Sequence, residues 1–135
     1  MTAHRTRITV RGFHLDLYGH VNNARYLEFL EEARWSMLDD RIDLADWQKR
    51  GLALTIVRID INYRRAAALG DVLEIRSVLK GLRRKSVTVH QEVYLAGSDA
   101  LVADADVTFV VVDARSQHAL PIEGEVADAL STLRE

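Results

Sequence analysis

One stretch of helical periodicity followed by strict alternation constrains this chain more than any other feature. Between Asn23 and about Asp39, apolar residues recur at the three- and four-residue spacing of an amphipathic helix. From Val57 to Tyr63 the period falls to two, which is typical of a half-buried strand. We therefore expect one long helix packed against a sheet.

The remaining elements predict an antiparallel sheet. Short connections between successive strands favour antiparallel pairing, so we expect an α+β domain over residues 1–135, in which a five-stranded antiparallel sheet surrounds one long central helix. The other predicted elements are strands over 7–13, 72–79, 86–95 and 101–112, a short helix over 45–50 and a closing helix over 125–133, with residues 80–85 and 96–99 as turns.

Composition narrows the function classes. The 135 residues are 48% hydrophobic and carry a formal net charge of −2, so no global field attracts nucleic acid or an anionic membrane. The absence of cysteine excludes disulfides, thiolate metal sites and cysteine nucleophiles. No run of residues has the length of a membrane span or a secretory signal. We expect a cytoplasmic protein.

The sheet has more apolar surface than one helix can cover, and this predicts self-association. One long helix cannot cover both faces of a five-stranded sheet, and the run from Val107 to Val112 is apolar at nearly every position, where a solvated face requires polar residues. We therefore expect a homodimer or a homotetramer.

Asp16 is the main candidate for chemistry. It lies between the first strand and the long helix, and either Asn22 or Asn23 can cap the helix start. Free amides at a helix start, together with the helix dipole, suit an oxygen that becomes negative during a reaction. An aspartate in such a position can also serve only as a turn former.

A thioester fits this arrangement better than an amide. Asp16 can attack an acyl carbonyl as a nucleophile or remove a proton from water, and the sequence does not choose between these routes. A leaving thiol with a reference pKa of about 8.5 departs with little help from a general acid. The residues therefore favour thioester cleavage.

The extended motif makes a resemblance specific. The segment from Gly12 to Arg34, GFHLDLYGHVNNARYLEFLEEAR, resembles the signature of the hotdog-fold thioesterases related to 4-hydroxybenzoyl-CoA thioesterase. Within that family it is most similar to bacterial long-chain acyl-CoA thioesterases of fatty-acid β-oxidation, and IDINYRR over 59–65 and ADADVTF over 103–109 extend the likeness. Ala66 is a departure, since many relatives have proline there.

The resemblance implies a function and a division of labour. It implies that the protein hydrolyses acyl-CoA, that it prefers long acyl chains, and that the reaction uses no cofactor. Asp16 then occupies the catalytic position, the backbone amide of Asn23 polarises the thioester carbonyl, and the active site lies at a dimer interface.

Other candidates carry weaker signals. His20 can act as a base, since imidazole is the side chain suited to proton transfer at neutral pH, but a role in orienting the loop or lining the substrate pocket is the simpler interpretation. Glu31 is a second, weak candidate that can order the attacking water. The basic turn Arg83, Arg84, Lys85 and Ser86 is either solvated or a dock for the phosphates of CoA.

Two further groups have structural interpretations. We assign Arg64 and Arg65 to ion pairs at the surface or at an interface. Asp104 and Asp106 alternate onto one face of a strand, but without histidines nearby they make a poor metal site, so we expect no metal.

Two other function classes stay open at this level. One is a hotdog hydratase or dehydratase that uses His20 and a carboxylate. The other is an acyl-CoA-binding module without catalytic activity.

Overall fold

The computed structural model describes residues 3–134, so the extreme ends of the predicted domain lie outside the described residues. Its longest helix, α1, extends over Asn23–Arg41 and is followed by α2 over Leu44–Lys49. The strands are β1 (His4–Thr9), β2 (Leu52–Tyr63), β3 (Val72–Leu82), β4 (Val87–Leu95) and β5 (Leu101–Asp113), and α3 (Gly124–Ser131) precedes a last 3-10 turn over Thr132–Arg134.

The five strands form one antiparallel sheet in the order β1-β3-β4-β5-β2. β1 and β2 are therefore its edges. The predicted α+β class, the antiparallel pairing and the single long helix against the sheet are confirmed. α1 lies on one face of the sheet and buries the residues of its inward side: Tyr26, Phe29, Leu30, Ala33, Arg34, Met37 and Leu38.

Two clusters of buried side chains fill the space between α1 and the sheet. One surrounds the first half of α1, where Tyr26 and Leu30 pack against β3, β4 and β5. The other surrounds the second half, where Met37 and Leu38 meet Trp47 of α2 and Leu130 of α3. The end of α1 that begins at Asn23 is thereby fixed to the sheet, which positions the candidate site.

Three element boundaries differ from the predictions. β1 covers His4–Thr9 rather than 7–13, because Gly12–His14 form a 3-10 turn and β1 takes its length from pairing with β3. β2 begins at Leu52 rather than near 57, because its first residues pair with the end of β5. β3 continues to Leu82 through an irregularity after Leu79, so the predicted turn from 80 is shorter.

The outer face of the sheet is mostly charged. Asp104 receives hydrogen bonds from Arg64 and Asn62, and Asp106 receives them from Lys80 and His90. Arg64 thus makes a surface ion pair, as predicted. Burial alone would raise the pKa of Asp104, but the hydrogen bonds from Arg64 and Asn62 outweigh it and lower that pKa.

The end of β5 is covered within the same chain. Val112 is buried and pairs with Ala119, while the amide of Leu120 donates to the carbonyl of Val111. The apolar run in β5 therefore needs no second copy to hide it. Exposed large apolar residues lie on α1 and β2, at Leu27, Trp35, Ile56 and Val57, and in loops, where Phe13, Leu17, Tyr18 and Leu69 are the most exposed.

Candidate active site

Asp16 is held in a tight turn that leaves one carboxylate oxygen available. Its Oδ1 accepts hydrogen bonds from the amides of Tyr18 at 2.9 Å and His20 at 3.4 Å. Its own amide donates to the carbonyl of His20 at 2.8 Å. Gly19 has φ +76°, a left-handed conformation that glycine adopts without strain, and this closes the turn. No protein donor to Oδ2 is present within residues 3–134.

The start of α1 leaves one amide unused. Asn22 is the N-cap: its Oδ1 accepts from the amide of Ala24 at 2.9 Å, and its carbonyl accepts from the amide of Arg25 at 2.9 Å. The amide of Asn23 is one of the first N–H groups of the helix, which have no intrahelical acceptor. In the described part of the chain it has no other backbone acceptor. Asn22, not Asn23, is therefore the cap.

Backbone hydrogen bonds hold the neighbouring loop to the β2–β3 connection and to the 3-10 turn over Gly12–His14. Val21 donates to the carbonyl of Ala67 at 2.9 Å, and Asn22 donates to the carbonyl of His14 at 2.9 Å. His14 is buried against Phe29, and its Nδ1 accepts from the amide of Arg11 at 2.8 Å. Burial lowers the pKa of His14, so this histidine stays neutral at neutral pH and acts as a structural support.

Asp16 and Asn23, which carry this carboxylate and this free amide, line the same cavity, of about 290 Å³. Tyr63, at the end of β2, forms part of its wall and donates a hydrogen bond to the carbonyl of Asn23 at 3.2 Å. His20 also lines this cavity. The complete lining is Asp16, His20, Val21, Asn23, Tyr26, Tyr63, Arg64, Arg65 and Ala66.

The predicted basic turn lies at a different cavity. Arg83 and Ser86 line a cavity of about 460 Å³ on the outer face of the sheet, together with Arg58 and Lys80. The amide of Arg83 donates to the carbonyl of Ser86 at 2.9 Å, which closes the turn. Arg84 and Lys85 are exposed beside it. Within one chain, this cavity shares no lining residue with that of Asp16.

Glu31 also lies apart from Asp16. It lines a cavity of about 130 Å³ together with Arg34, Trp35, Met37, Leu38, Leu54, Ile56 and Phe109. An arginine in an amphipathic helix is expected on the solvated side, but Arg34 is only 6% exposed. The available signal was its spacing: Arg34 is four residues after Leu30 and three before Met37, within the buried stripe.

The Asp16 cavity and the Glu31 cavity both lie between α1 and β2. The first is bordered by Asn23 of α1 and Tyr63 of β2, and the second by Trp35 of α1 and Ile56 of β2. Leu27, 37% exposed, lies on α1 between them. We refer to this region as the α1–β2 groove. From Asn23 to Trp35 it follows α1 for about 18 Å, at about 1.5 Å per residue.

This arrangement can perform acyl transfer. A carboxylate oxygen without a protein donor and an amide without a backbone acceptor border one cavity, which is the pairing that attack on a carbonyl requires. Among residues 3–134, no group of three histidines, aspartates or glutamates is arranged to hold a metal ion. No helix in that range has both the length and the apolar character needed to cross a membrane.

Comparison with known sequences identifies the family. Residues 11–130 match the family model of the thioesterase-like superfamily. The chain is 47% identical over 129 residues to the long-chain acyl-CoA thioesterase FadM of Escherichia coli, which covers 96% of this chain and 98% of the relative. It is 26% identical over 122 residues to a betainyl-CoA thioesterase of Pseudomonas aeruginosa, covering 90% and 77% of the two chains.

Comparison with solved structures agrees. The crystal structure of the probable thioesterase YbaW from Escherichia coli superposes with a TM-score of 0.90 at 46% identity, covering 97% of this chain and 98% of the other. A 1,4-dihydroxy-2-naphthoyl-CoA thioesterase from Synechocystis superposes with a TM-score of 0.85 at 22% identity over 97% of each chain, which supports the fold alone. The resemblance of the segment from Gly12 to Arg34 is thus confirmed, and the chain belongs to the thioesterase-like superfamily of hotdog-fold proteins.

Proposed function

We propose that this protein hydrolyses long-chain acyl-CoA thioesters to a free fatty acid and CoA. The observation that carries the proposal is the shared cavity of Asp16, with its Oδ2 free of protein donors, and the Asn23 amide, with no backbone acceptor. The similarity to a long-chain acyl-CoA thioesterase supports the choice of substrate.

The amide of Asn23 binds the thioester carbonyl oxygen and stabilises the negative charge that develops on it. The Asn22 cap supports this role, because it occupies the amide of Ala24 and leaves that of Asn23 for the substrate. The positive end of the α1 dipole acts in the same direction. The carbonyl carbon is thereby activated next to Asp16.

Asp16 completes the reaction by one of two routes. As a general base, its Oδ2 takes a proton from water, the water oxygen bonds to the carbonyl carbon, and the carbon–sulfur bond breaks to release CoA thiolate, which then takes up a proton. As a nucleophile, Oδ2 bonds to the carbonyl carbon and expels the thiolate, and water hydrolyses the resulting anhydride. Label found in Asp16 after a single turnover in oxygen-18 water identifies the nucleophilic route, with water attacking the aspartyl carbonyl of the anhydride, because the general-base route places the label in the fatty acid alone.

The α1–β2 groove provides for the acyl chain. Its apolar residues Leu27, Trp35 and Ile56 are between 37% and 45% exposed and follow the cavity of Asp16 along the helix. A chain that leaves the thioester along this groove buries its methylenes against them, at about 0.8 kcal/mol for each fully buried CH₂. Long chains therefore gain the most. We assign no cofactor to the reaction.

A second copy of the chain completes the site in this proposal. β2 is an edge strand of 12 residues, and Ile56 and Val57 on it are 40% and 56% exposed. An open edge with exposed apolar residues favours pairing with another strand. A homodimer formed through β2 covers the groove and excludes water from the acyl chain.

Replacement of Asp16 tests the function. In Asp16→Asn, thiol release from hexadecanoyl-CoA should fall at least about 100-fold, while the fold is retained. The matched control is Asp113→Asn. Asp113 accepts from the amides of Arg115 and Ser116 in a comparable turn but does not line the cavity. Wild-type turnover by Asp16→Asn would refute the mechanism.

Product analysis separates the alternatives. With an enoyl-CoA as substrate, release of free CoA supports hydrolysis, whereas addition of water to the double bond identifies a hydratase. Tight binding of acyl-CoA without thiol release, over short, long and aromatic acyl groups, identifies a binding module.

A further inference from the structure

Arg34 places a buried positive charge in the middle of α1. Its Nη1 donates to Oε1 of Gln91 at 3.1 Å, and Gln91 is held by donating to the carbonyl of Leu30 and to Ser77 Oγ, each at 3.0 Å. A guanidinium carries five N–H donors. Only this one hydrogen bond involves the Arg34 side chain within residues 3–134, and none of the ion pairs found there includes it.

Such an arrangement is unfavourable unless another acceptor is present. Burial lowers the pKa of Arg34, and the charge of Glu31 only partly opposes this effect. A buried charge is normally paired or fully hydrogen-bonded, because desolvation otherwise penalises it. None of the remaining Arg34 nitrogens is among the fully buried polar atoms without a partner in residues 3–134, and Arg34 lines a cavity, so a water or ligand oxygen in that cavity can accept their hydrogen bonds.

The cavity next to Arg34 is otherwise apolar. Its volume is about 130 Å³, and six of its eight lining residues are apolar: Trp35, Met37, Leu38, Leu54, Ile56 and Phe109. Glu31 is the other polar residue in the lining. Glu31 and Arg34 are three residues apart on the helix and so lie on neighbouring positions of its surface. The cavity thus combines one donor and one acceptor with apolar walls.

A hydroxyl group matches this combination. It accepts a hydrogen bond from the guanidinium and donates one to the carboxylate. A methylene group leaves both polar groups unpaired. A carboxylate on the chain accepts a hydrogen bond from Arg34, but the negative charge of Glu31 repels it. The polar pair therefore distinguishes a hydroxylated chain from both a plain and a carboxylated one.

The position of the cavity sets where that hydroxyl lies. Its α1 residues are 31 to 38, which are 8 to 15 residues beyond Asn23. At about 1.5 Å per residue they lie about 12 to 22 Å along the helix from the amide that binds the thioester carbonyl. The hydroxyl is therefore far from the thioester.

We infer that the Arg34–Glu31 cavity recognises acyl chains that carry a hydroxyl group near the far end. This inference deepens the proposed function and rests on it. It assigns to Arg34 a role in substrate specificity rather than in bond cleavage.

The test compares hexadecanoyl-CoA with ω-hydroxyhexadecanoyl-CoA and takes the ratio of their kcat/KM values. The wild type should favour the hydroxylated substrate by about 10-fold, as expected for a buried hydrogen bond to a charged group. The ratio should fall to about one in Arg34→Met. In Glu31→Met, which removes only the acceptor, it should fall about 3-fold. β-Hydroxyhexadecanoyl-CoA should show no preference in any variant.

Glu31→Met keeps the test decisive if Arg34→Met fails to fold, because Glu31 is at an exposed position. A wild-type ratio of one or less overturns the inference, as does a ratio unchanged in the variants. Preference for an ω-carboxyl over an ω-hydroxyl chain also overturns it, because Glu31 then does not act as the acceptor.

Equilibrium binding to Asp16→Asn separates this inference from the proposed function. The same 10-fold preference should appear in the Kd values of the two acyl-CoAs, with no hydrolysis involved. Equal Kd values would overturn the inference while leaving Asp16-dependent hydrolysis intact. Absence of thiol release from every acyl-CoA would refute the proposed function, and the Kd ratio would still decide the role of Arg34.

Discussion

The phenol of Tyr63 donates a hydrogen bond to the carbonyl oxygen of Asn23 over 3.2 Å and thereby joins the last residue of β2 to the first residue of α1. The two residues are 40 positions apart in the chain. The bond acts on the residue whose amide is proposed to bind the substrate carbonyl. Tyr63 is therefore a positioning residue.

Removal of this hydroxyl should reduce turnover while largely preserving substrate affinity. In Tyr63→Phe, kcat for hexadecanoyl-CoA should fall about 3- to 10-fold, the effect of one neutral hydrogen bond, with little change in KM. Steady-state kinetics measure the two parameters. Tyr94→Phe is the matched control, because Tyr94 packs on Arg76 and does not line the cavity. Equal kcat values for Tyr63→Phe and the wild type would contradict the assignment.

The basic turn should affect CoA binding alone. If Arg83 and Arg84 contact the phosphates of CoA, the double replacement Arg83→Ala, Arg84→Ala should raise KM about 10-fold and leave kcat nearly unchanged, because charge-assisted contacts to a remote phosphate bind ground state and transition state equally. At high salt the difference in KM between the variant and the wild type should shrink, because salt screens the contacts that the wild type makes. Arg115→Ala, in an exposed turn elsewhere, is the control. An unchanged KM would contradict contact between this turn and CoA and would favour the interpretation of a solvated turn.

Glu74 should make the protein sensitive to acid. Hydrogen bonding from Arg76 is the largest cause that lowers the pKa of Glu74 below its ordinary value of 4.5, with Arg5 and Arg7 contributing. A lowered folded-state pKa means that the stabilisation is complete above about pH 4.5 and is lost as pH falls through the folded value. We expect Glu74→Gln to lose about 1–2 kcal/mol of unfolding free energy at pH 7.

Urea unfolding of Glu74→Gln and the wild type at pH 7 and pH 3 checks this expectation. The difference between the two proteins should narrow at pH 3, because Glu74 is then protonated in the unfolded wild-type chain and must lose that proton to form its ion pairs on folding. Glu28→Gln is a suitable control, since Glu28 makes an exposed helix ion pair with Arg25 and should change stability by less than about 0.5 kcal/mol. A difference that is constant with pH would contradict the role of the Glu74 charge.

Val57 tests the proposed dimer. A lysine at this exposed position of the open edge brings two positive charges together if two copies pair symmetrically through β2. Val57→Lys should therefore shift the molar mass measured by light scattering towards that of one chain and should reduce turnover. Val72→Lys is the control, because Val72 is similarly exposed but its strand pairs on both sides. An unchanged mass for Val57→Lys would place the interface elsewhere.

The sequence determined the parts of this protein that depend on local pattern. Apolar spacing identified α1 to within two residues, because a helix that buries one side must repeat every three to four residues. Alternation identified the second half of β2, and the motif around Asp16 and Asn23 identified the family. These features are encoded in contiguous residues.

Tertiary structure decided what depends on distant residues. β1 begins at His4 because it pairs with β3, about 70 positions away, and β2 begins at Leu52 because the end of β5 lies beside it. The spacing of apolar residues places Arg34 within the buried stripe of α1, but the charge of Arg34 favours an exposed position. Only the packing of α1 against Gln91 on β4 shows why a guanidinium lies in the interior and faces a cavity.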